Sequence, residues 1–289
     1  MTTDTAAKVR EVPVERIAET VTRLCQEATH FLPEDVVAGL QKARDTEKSE
    51  LGKQVLIELL ENVEIAKRDM IPLCQDTGTT IVFVELGQDV HIVGGSLTDA
   101  INKGVSKGYT EGFLRASIVD HPFSSRVNTK DNTPAVIHTE IVPGDGFKIK
   151  VLPKGGGCEN MARFTVMLPS AGKEAITDFV LRTIEESGGN PCPPLVVGVG
   201  VGGSAEYAMY LAKKGVTRKV GVANADAETA EFERELLEKV NALGVGPQAV
   251  GGVNTALAVH IETYPTHITA LPVAVNLQCH SARLKEAEL

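Results

Sequence analysis

The 289 residues contain no tryptophan and few other aromatic residues, with 8 phenylalanines and 4 tyrosines. Proteins that hold single-stranded nucleic acid stack bases on exposed aromatic rings and follow the phosphates with basic groups. Here 38 acidic residues outnumber 29 basic ones, for a formal net charge of -9, so nucleic acid is not an expected partner. Long apolar runs are also missing. Gly, Pro or a charge interrupts each one before the roughly 18 residues of a membrane span are reached. The segment from Met1 to Arg10 includes Asp4 and has no apolar core of the kind an export signal needs. These absences predict a cytoplasmic protein without membrane contact. Cysteine is sparse and odd in number: Cys25, Cys74, Cys158, Cys192 and Cys279. No repeating frame links them, and in a reducing compartment buried thiols or metal ligands are expected rather than disulfides.

The remaining composition is that of a globular chain, 43% hydrophobic and 23% charged. Its length suits one large domain or two modest ones. Val14, Ile17, Val21, Leu24, Cys25 and Ala28 recur at three- and four-residue steps, which predicts a helix with one buried stripe and Cys25 on it. Two more helices are expected, one opening at Pro33 and one over Leu51 to Val63. At Ile71-Pro72 the helical period stops. Strands are then expected at Thr79–Leu86, Val90–Val93, Ala135–Val142, Phe147–Leu152, Phe164–Leu168, Leu195–Val201 and Ile268–Leu277. Gly144-Asp145-Gly146 reads as a hairpin turn, and Ser96 to Asp99 as the capped start of a helix running toward Ser117. Further helices are expected at Lys173–Glu186, Ser204–Lys214 and Ala227–Leu243. The predicted class is α/β: an N-terminal helical layer over 1–70, packed on a mixed α/β body over 71–289 with Gly-rich strand-to-helix turns.

Three cysteines lie on turns at the ends of predicted elements. Cys74 lies in Pro72-Leu-Cys-Gln-Asp-Thr-Gly78, Cys192 among Pro191, Pro193 and Pro194, and Cys279 just beyond the final predicted strand. Thiols on rigid turns at the ends of elements are better placed to converge on a ligand than to fill a core. Their wide separations match no local ligand motif, so structural thiols remain an alternative. Gly198-Val-Gly-Val-Gly-Gly203 satisfies the dinucleotide pattern, with Asp226 further on, but a Gly-rich turn also serves other anions or close backbone packing. Gly155-Gly156-Gly157 and Gly251-Gly252 are further surfaces where backbone could approach a ligand.

Taken together, several ordered motifs closely resemble one family. They are Pro72-Leu-Cys-Gln-Asp-Thr-Gly-Thr79, Asp131-Asn-Thr-Pro134, Lys154-Gly-Gly-Gly157 with Glu159-Asn160, Cys192-Pro-Pro with the glycine run, and Asn276-Leu-Gln-Cys279. The chain resembles the iron-sulfur-dependent class I fumarate hydratase and L-tartrate dehydratase family, in its alpha subunit or N-terminal domain, over residues 12–283. The resemblance implies a [4Fe-4S] cluster held by Cys74, Cys192 and Cys279, with one iron open to act as a Lewis acid toward a 2-hydroxy acid. It implies that Gln75, Arg115 and Gly157 bind the substrate, and it makes Asp76 and His267 candidate catalytic residues. A small dicarboxylate is the implied substrate, and Arg115 would clamp one carboxylate through its fork. Each residue also has a plainer reading: Asp76 in an Asx-turn, Arg115 as a surface charge, His267 as a hydrogen-bonded core histidine. Where many relatives have serine after the three glycines, this chain has Cys158, expected as a bystander thiol. Single-chain relatives continue into a second domain carrying the proton-abstracting base, so a beta subunit bearing that domain is the expected partner. Fumarate hydration is the first expected activity and L-tartrate dehydration the alternative. A non-catalytic iron-sulfur scaffold and an NAD-dependent oxidoreductase are more remote.

Overall fold

The computed structural model describes residues 9–289. They form an α/β structure divided into two compact units. The first comprises the described residues up to Phe31, Asp69–Lys154 and Arg283–Leu289, and the second comprises Leu32–Arg68 and Gly155–Ala282. The division expected at residue 70 is therefore not the one the contacts make. Of the three predicted helices, α1 (Val14–His30) belongs to the first unit, whereas α2 (Glu34–Thr46) and nearly all of α3 (Glu50–Asp69) belong to the second. Periodicity identifies a helix and its apolar face, but it does not say which core that face enters. No described helix is long and apolar enough to cross a membrane.

In the first unit, Ile17, Val21, Leu24, Cys25 and Ala28 of α1 are all fully buried, as their spacing predicts. The helix packs on α4 (Leu97–Glu111) across two glycines. A Cβ at Gly104 would stand 2.6 Å from the Ala18 carbonyl, and one at Gly108 would stand 2.9 Å from Cys25 Cβ, so only glycine allows this approach. The Ser96 hydroxyl accepts the Asp99 N–H at the start of α4. The helix stops at Glu111 instead of Ser117, because Gly112 is followed by Phe113 at φ 52°.

Beneath these helices lies a sheet of β2 (Thr79–Gly87), β4 (Val136–Val142), β5 (Phe147–Lys154) and β10 (Lys285–Glu288), in the order β10-β5-β2-β4. β4 runs parallel to β2, while β5 runs antiparallel to it. Gly144-Asp145-Gly146 therefore does not close a hairpin between neighbours. The almost continuously buried β2 takes the central place, and the carbonyls of Gly144 and Gly146 accept the N–H groups of Asp89 and Gly87 at 3.0 and 2.7 Å. β1 (Arg10–Pro13), absent from the sequence reading, pairs in parallel with β3 (Val90–Val93).

The second unit is built on a sheet of β6 (Arg163–Met167), β7 (Leu195–Gly202), β8 (Ala256–Tyr264) and β9 (Leu271–Gln278), in the order β6-β9-β7-β8. β7 and β8 are parallel and are connected through α7 (Ala205–Gly215) and α8 (Ala227–Ala242), while β9 is antiparallel to β7. Its core includes Val197, Val199, Val259 and Val275 from the strands, Ile184 from α6 (Gly172–Ser187), and Leu236 and Val240 from α8. The glycine run is explained by packing. A Cβ at Gly198 or Gly200 would lie 2.0 Å from the carbonyl of Ala212 or Ala208, so α7 rests directly on the backbone of β7. Two of the fingerprint glycines are thus inside the strand, not in a phosphate-binding turn.

Candidate active site

Cys74, Gln75 and Asp76 lie on the loop between α3 and β2. The Leu73 N–H bonds the Thr29 carbonyl at 2.9 Å and anchors the start of this loop to α1. Asp76 Oδ1 accepts the Gly78 N–H at 3.0 Å, forming the Asx-turn the sequence suggests. Gly78 is required at its end: φ is +78°, and a Cβ would stand 2.6 Å from the Lys154 backbone. The Thr77 hydroxyl donates to the Arg115 carbonyl at 2.7 Å. Asn132, fully buried, accepts the Ser117 N–H at 2.8 Å and donates to the Gly78 carbonyl at 3.0 Å. The segments bearing Gln75, Asp76 and Arg115 are therefore tied together inside the first unit. Cys74 and Asp76 are half-buried, whereas Gln75 and Arg115 are exposed, and the Arg115 guanidinium forms no ion pair with a described residue.

Cys192 and Cys279 come together in the second unit because of the antiparallel pairing of β7 and β9. Cys192 precedes the start of β7, Cys279 follows the end of β9, and Val196 pairs with Gln278. The His280 N–H donates to the Cys192 carbonyl at 3.2 Å. Cys192 adopts the left-handed conformation, φ 53°, that non-glycine residues seldom occupy, so its loop fixes it against a local preference. Gly157, in the short helix α5 (Gly156–Glu159), belongs to the same end of the sheet: a Cβ there would meet the Asn190 carbonyl at 2.8 Å. Cys158 is buried beside it, with its Sγ 3.3 Å from the Gly155 carbonyl and 3.6 Å from Gln278 Oε1. Glu159 pairs with Lys213 and accepts from Asn276 Nδ2 at 3.2 Å.

His267 is placed elsewhere. It lies on the loop before β9, exposed, with Nδ1 2.9 Å from the Thr269 hydroxyl. Cys279 follows the other end of β9, and an eight-residue strand at about 3.4 Å per residue is about 24 Å long. Within this unit His267 thus stands a strand's length from Cys192 and Cys279. His267 is not a core histidine, since the residue is exposed.

The donor set bears on whether this chain could hold a metal-sulfur group. Cys25 is fully buried, and burial pushes its thiol up to about 12, which leaves it protonated and inert. Cys74, Cys192 and Cys279 are the half-buried thiols. Next to Cys279, the buried Gln278 Nε2 has no hydrogen-bond partner among the described residues, a donor suited to a sulfur-rich anion. Nevertheless, no three metal-ligating side chains gather closely enough among the described residues to hold a metal ion. The other Gly-rich surface is filled from within: Glu47 accepts the Val253 and Asn254 N–H groups, and a Cβ at Gly252 would lie 2.6 Å from its carboxylate.

Residues 18–288 match the model of the family described as Fumarate hydratase (Fumerase). The chain belongs to this family. A Methanocaldococcus jannaschii protein named "Putative L(+)-tartrate dehydratase subunit alpha" is 42% identical over 276 residues, covering 93% of this chain and 95% of its own length. The L(+)-tartrate dehydratase subunit alpha of Escherichia coli K12 is 33% identical over 278 residues, covering 95% and 91%. As a Fumerase-family member the chain is an enzyme of the hydro-lyase class. The residues that fix these loops are less visible in the sequence than the motif residues the loops carry. Asn132 lies in one of the motifs, but neither Tyr109 on α4, whose hydroxyl donates to the Thr77 carbonyl, nor Arg283, whose Nη1 donates to the Asp76 carbonyl, carries a sequence signal of that contact.

Proposed function

We propose that this chain is the alpha subunit of an L(+)-tartrate dehydratase, acting with a beta subunit that completes the active site. The similarity to chains named as that subunit, over more than nine-tenths of this chain, carries the reading and puts tartrate ahead of the fumarate expected first. Fumarate hydration is the second reading, favoured by the description of the family. Loss of water from 2,3-dihydroxybutanedioate leaves an enol that tautomerises to a 2-oxo dicarboxylate. The same elements of water are exchanged between malate and fumarate.

In this proposal Cys74, Cys192 and Cys279 are the residues that would hold a [4Fe-4S] cluster. When bound, such a cluster supplies a Lewis-acidic iron that polarises the departing hydroxyl. Arg115 suits a substrate carboxylate, because its guanidinium is exposed and not engaged by another side chain among the described residues, while its backbone is pinned by Thr77. Gln75, exposed on the loop that carries Asp76, offers an amide. Asp76, held by its own turn, presents a carboxylate of fixed orientation for proton or hydroxyl hydrogen bonding. Gly157 offers backbone at the Cys192 turn. His267 is left out of this constellation because of its distance along β9.

The test is anaerobic co-purification with a beta subunit, followed by iron and sulfide analysis and assays with L(+)-tartrate, L-malate and fumarate. About four irons per chain and preferential turnover of tartrate are expected. A full cluster with no turnover of any of the three acids overturns the enzymatic assignment, and preference for fumarate selects the second reading.

A further inference from the structure

Three consecutive carbonyls of the Asp76 turn each accept from a buried side chain of a different segment. Arg283 Nη1 donates to the Asp76 carbonyl at 2.7 Å, the Tyr109 hydroxyl to that of Thr77 at 2.7 Å, and Asn132 Nδ2 to that of Gly78 at 3.0 Å. Arg283 and Tyr109 are 1% exposed and Asn132 0%. Loop carbonyls usually turn to water. Here none of the three is left to it, and the Asx bond from Gly78 closes the turn from within.

We infer that Arg283 is the positioning residue of this turn, holding the segment that carries Cys74, Gln75 and Asp76 in its working geometry. The inference rests on the proposed assignment of those three residues to the active site. The three donors are not equivalent. Tyr109 and Asn132 are neutral, and burial raises the Tyr109 phenol so that it remains a donor. Arg283 brings a charged, planar guanidinium. Among the described residues it forms no ion pair, and its buried Nε has no hydrogen-bond partner. Burying an unpaired cation opposes folding, and an apolar side chain of similar volume would fill the space with less penalty. The guanidinium is therefore not explained by stability. It makes a charge-assisted bond to the Asp76 peptide and sets a permanent positive charge beside a turn read as receiving a dianion, in a chain whose net charge is -9.

Arg283→Met separates the two roles. Its midpoint of thermal unfolding is expected to equal or exceed that of the parent. Amide hydrogen exchange over residues 73–79 should accelerate roughly 10- to 100-fold. In the reconstituted two-subunit enzyme kcat should fall by a similar factor while KM moves less, because Arg283 orients the turn without touching substrate. Arg283→Lys should recover part of kcat. Unchanged exchange at 73–79, or accelerated exchange with parental kcat, overturns the inference. If Arg283→Met does not fold, exchange in Tyr109→Phe decides, since loss of one carbonyl bond must also loosen the turn. Absence of activity in the parent enzyme would strike the functional reading alone, as the exchange measurement on the chain needs neither cluster nor substrate.

Discussion

Burial sorts the five thiols before any metal is considered. Cys25, on the inner face of α1, cannot ionise near neutrality, whereas Cys192 is half-exposed on a strained turn. Cys192→Ala and Cys279→Ala are expected to bring iron well below the parental content in anaerobically prepared protein, and Cys25→Ser to leave it unchanged. Iron and sulfide assays check both. A second residue-scale outcome concerns His260, buried in β8 with Nδ1 3.1 Å from the Gly215 carbonyl. Burial first, then the Arg218 charge, lowers its pKa to about 4. The unfolded chain takes up this proton near pH 6.5 and the folded one only near 4, so the contribution is fully present above 6.5 and is lost as pH falls toward 4. The loss should reach about 3 kcal/mol. Urea unfolding between pH 7 and 4 should show this slope, and His260→Gln should flatten it. Sequence context was enough to separate the loop cysteines from Cys25, because a stripe and a proline-rich turn differ locally. It could not show that Glu47 occupies the amides near Gly252, since the two meet only through the fold.

At the scale of elements, the glycines of β7 carry a definite cost. Alanine at Gly198 or Gly200 must lift α7 from the strand, because a Cβ 2.0 Å from a helix carbonyl has no rotamer that avoids it. Each substitution should destabilise by about 1–3 kcal/mol or more, measured by denaturant midpoint. Gly144→Ala, with nothing within 4 Å of the added atom, probes instead the positive φ of +86° and should cost about 1 kcal/mol. Helices α1, α2 and α3 were legible because one stripe repeats along each. β10 was not: Lys285–Glu288 has no apolar alternation and is a strand only because β5 offers an edge, with Lys148 pairing to Glu286 at 2.8 Å. The sheet order around β2 was equally hidden, since a turn signal reports local backbone geometry and not the strand that comes between.

For the whole molecule, membership in a hydro-lyase family and similarity to named alpha subunits lead to one expectation about assembly. The chain alone should turn over neither tartrate nor malate, even with the proposed cluster bound, and addition of a beta subunit should confer activity. Air should then abolish that activity, and ferrous iron with a reductant should return it, because an iron without a thiolate is the easiest to lose. Enzyme assays before and after exposure check this.

The interleaving of the two units also bears on biosynthesis. The chain passes between them four times, and β10, which pairs with β5, follows all of the second unit. On the ribosome, β5 therefore emerges with one edge unpaired and keeps it open while Gly155–Ala282, the larger part of the second unit, is made. Such an edge invites pairing with another nascent chain. The first unit is begun early and closed by residues made after 282, so Arg283 reaches the Asp76 turn only after the second unit has been made.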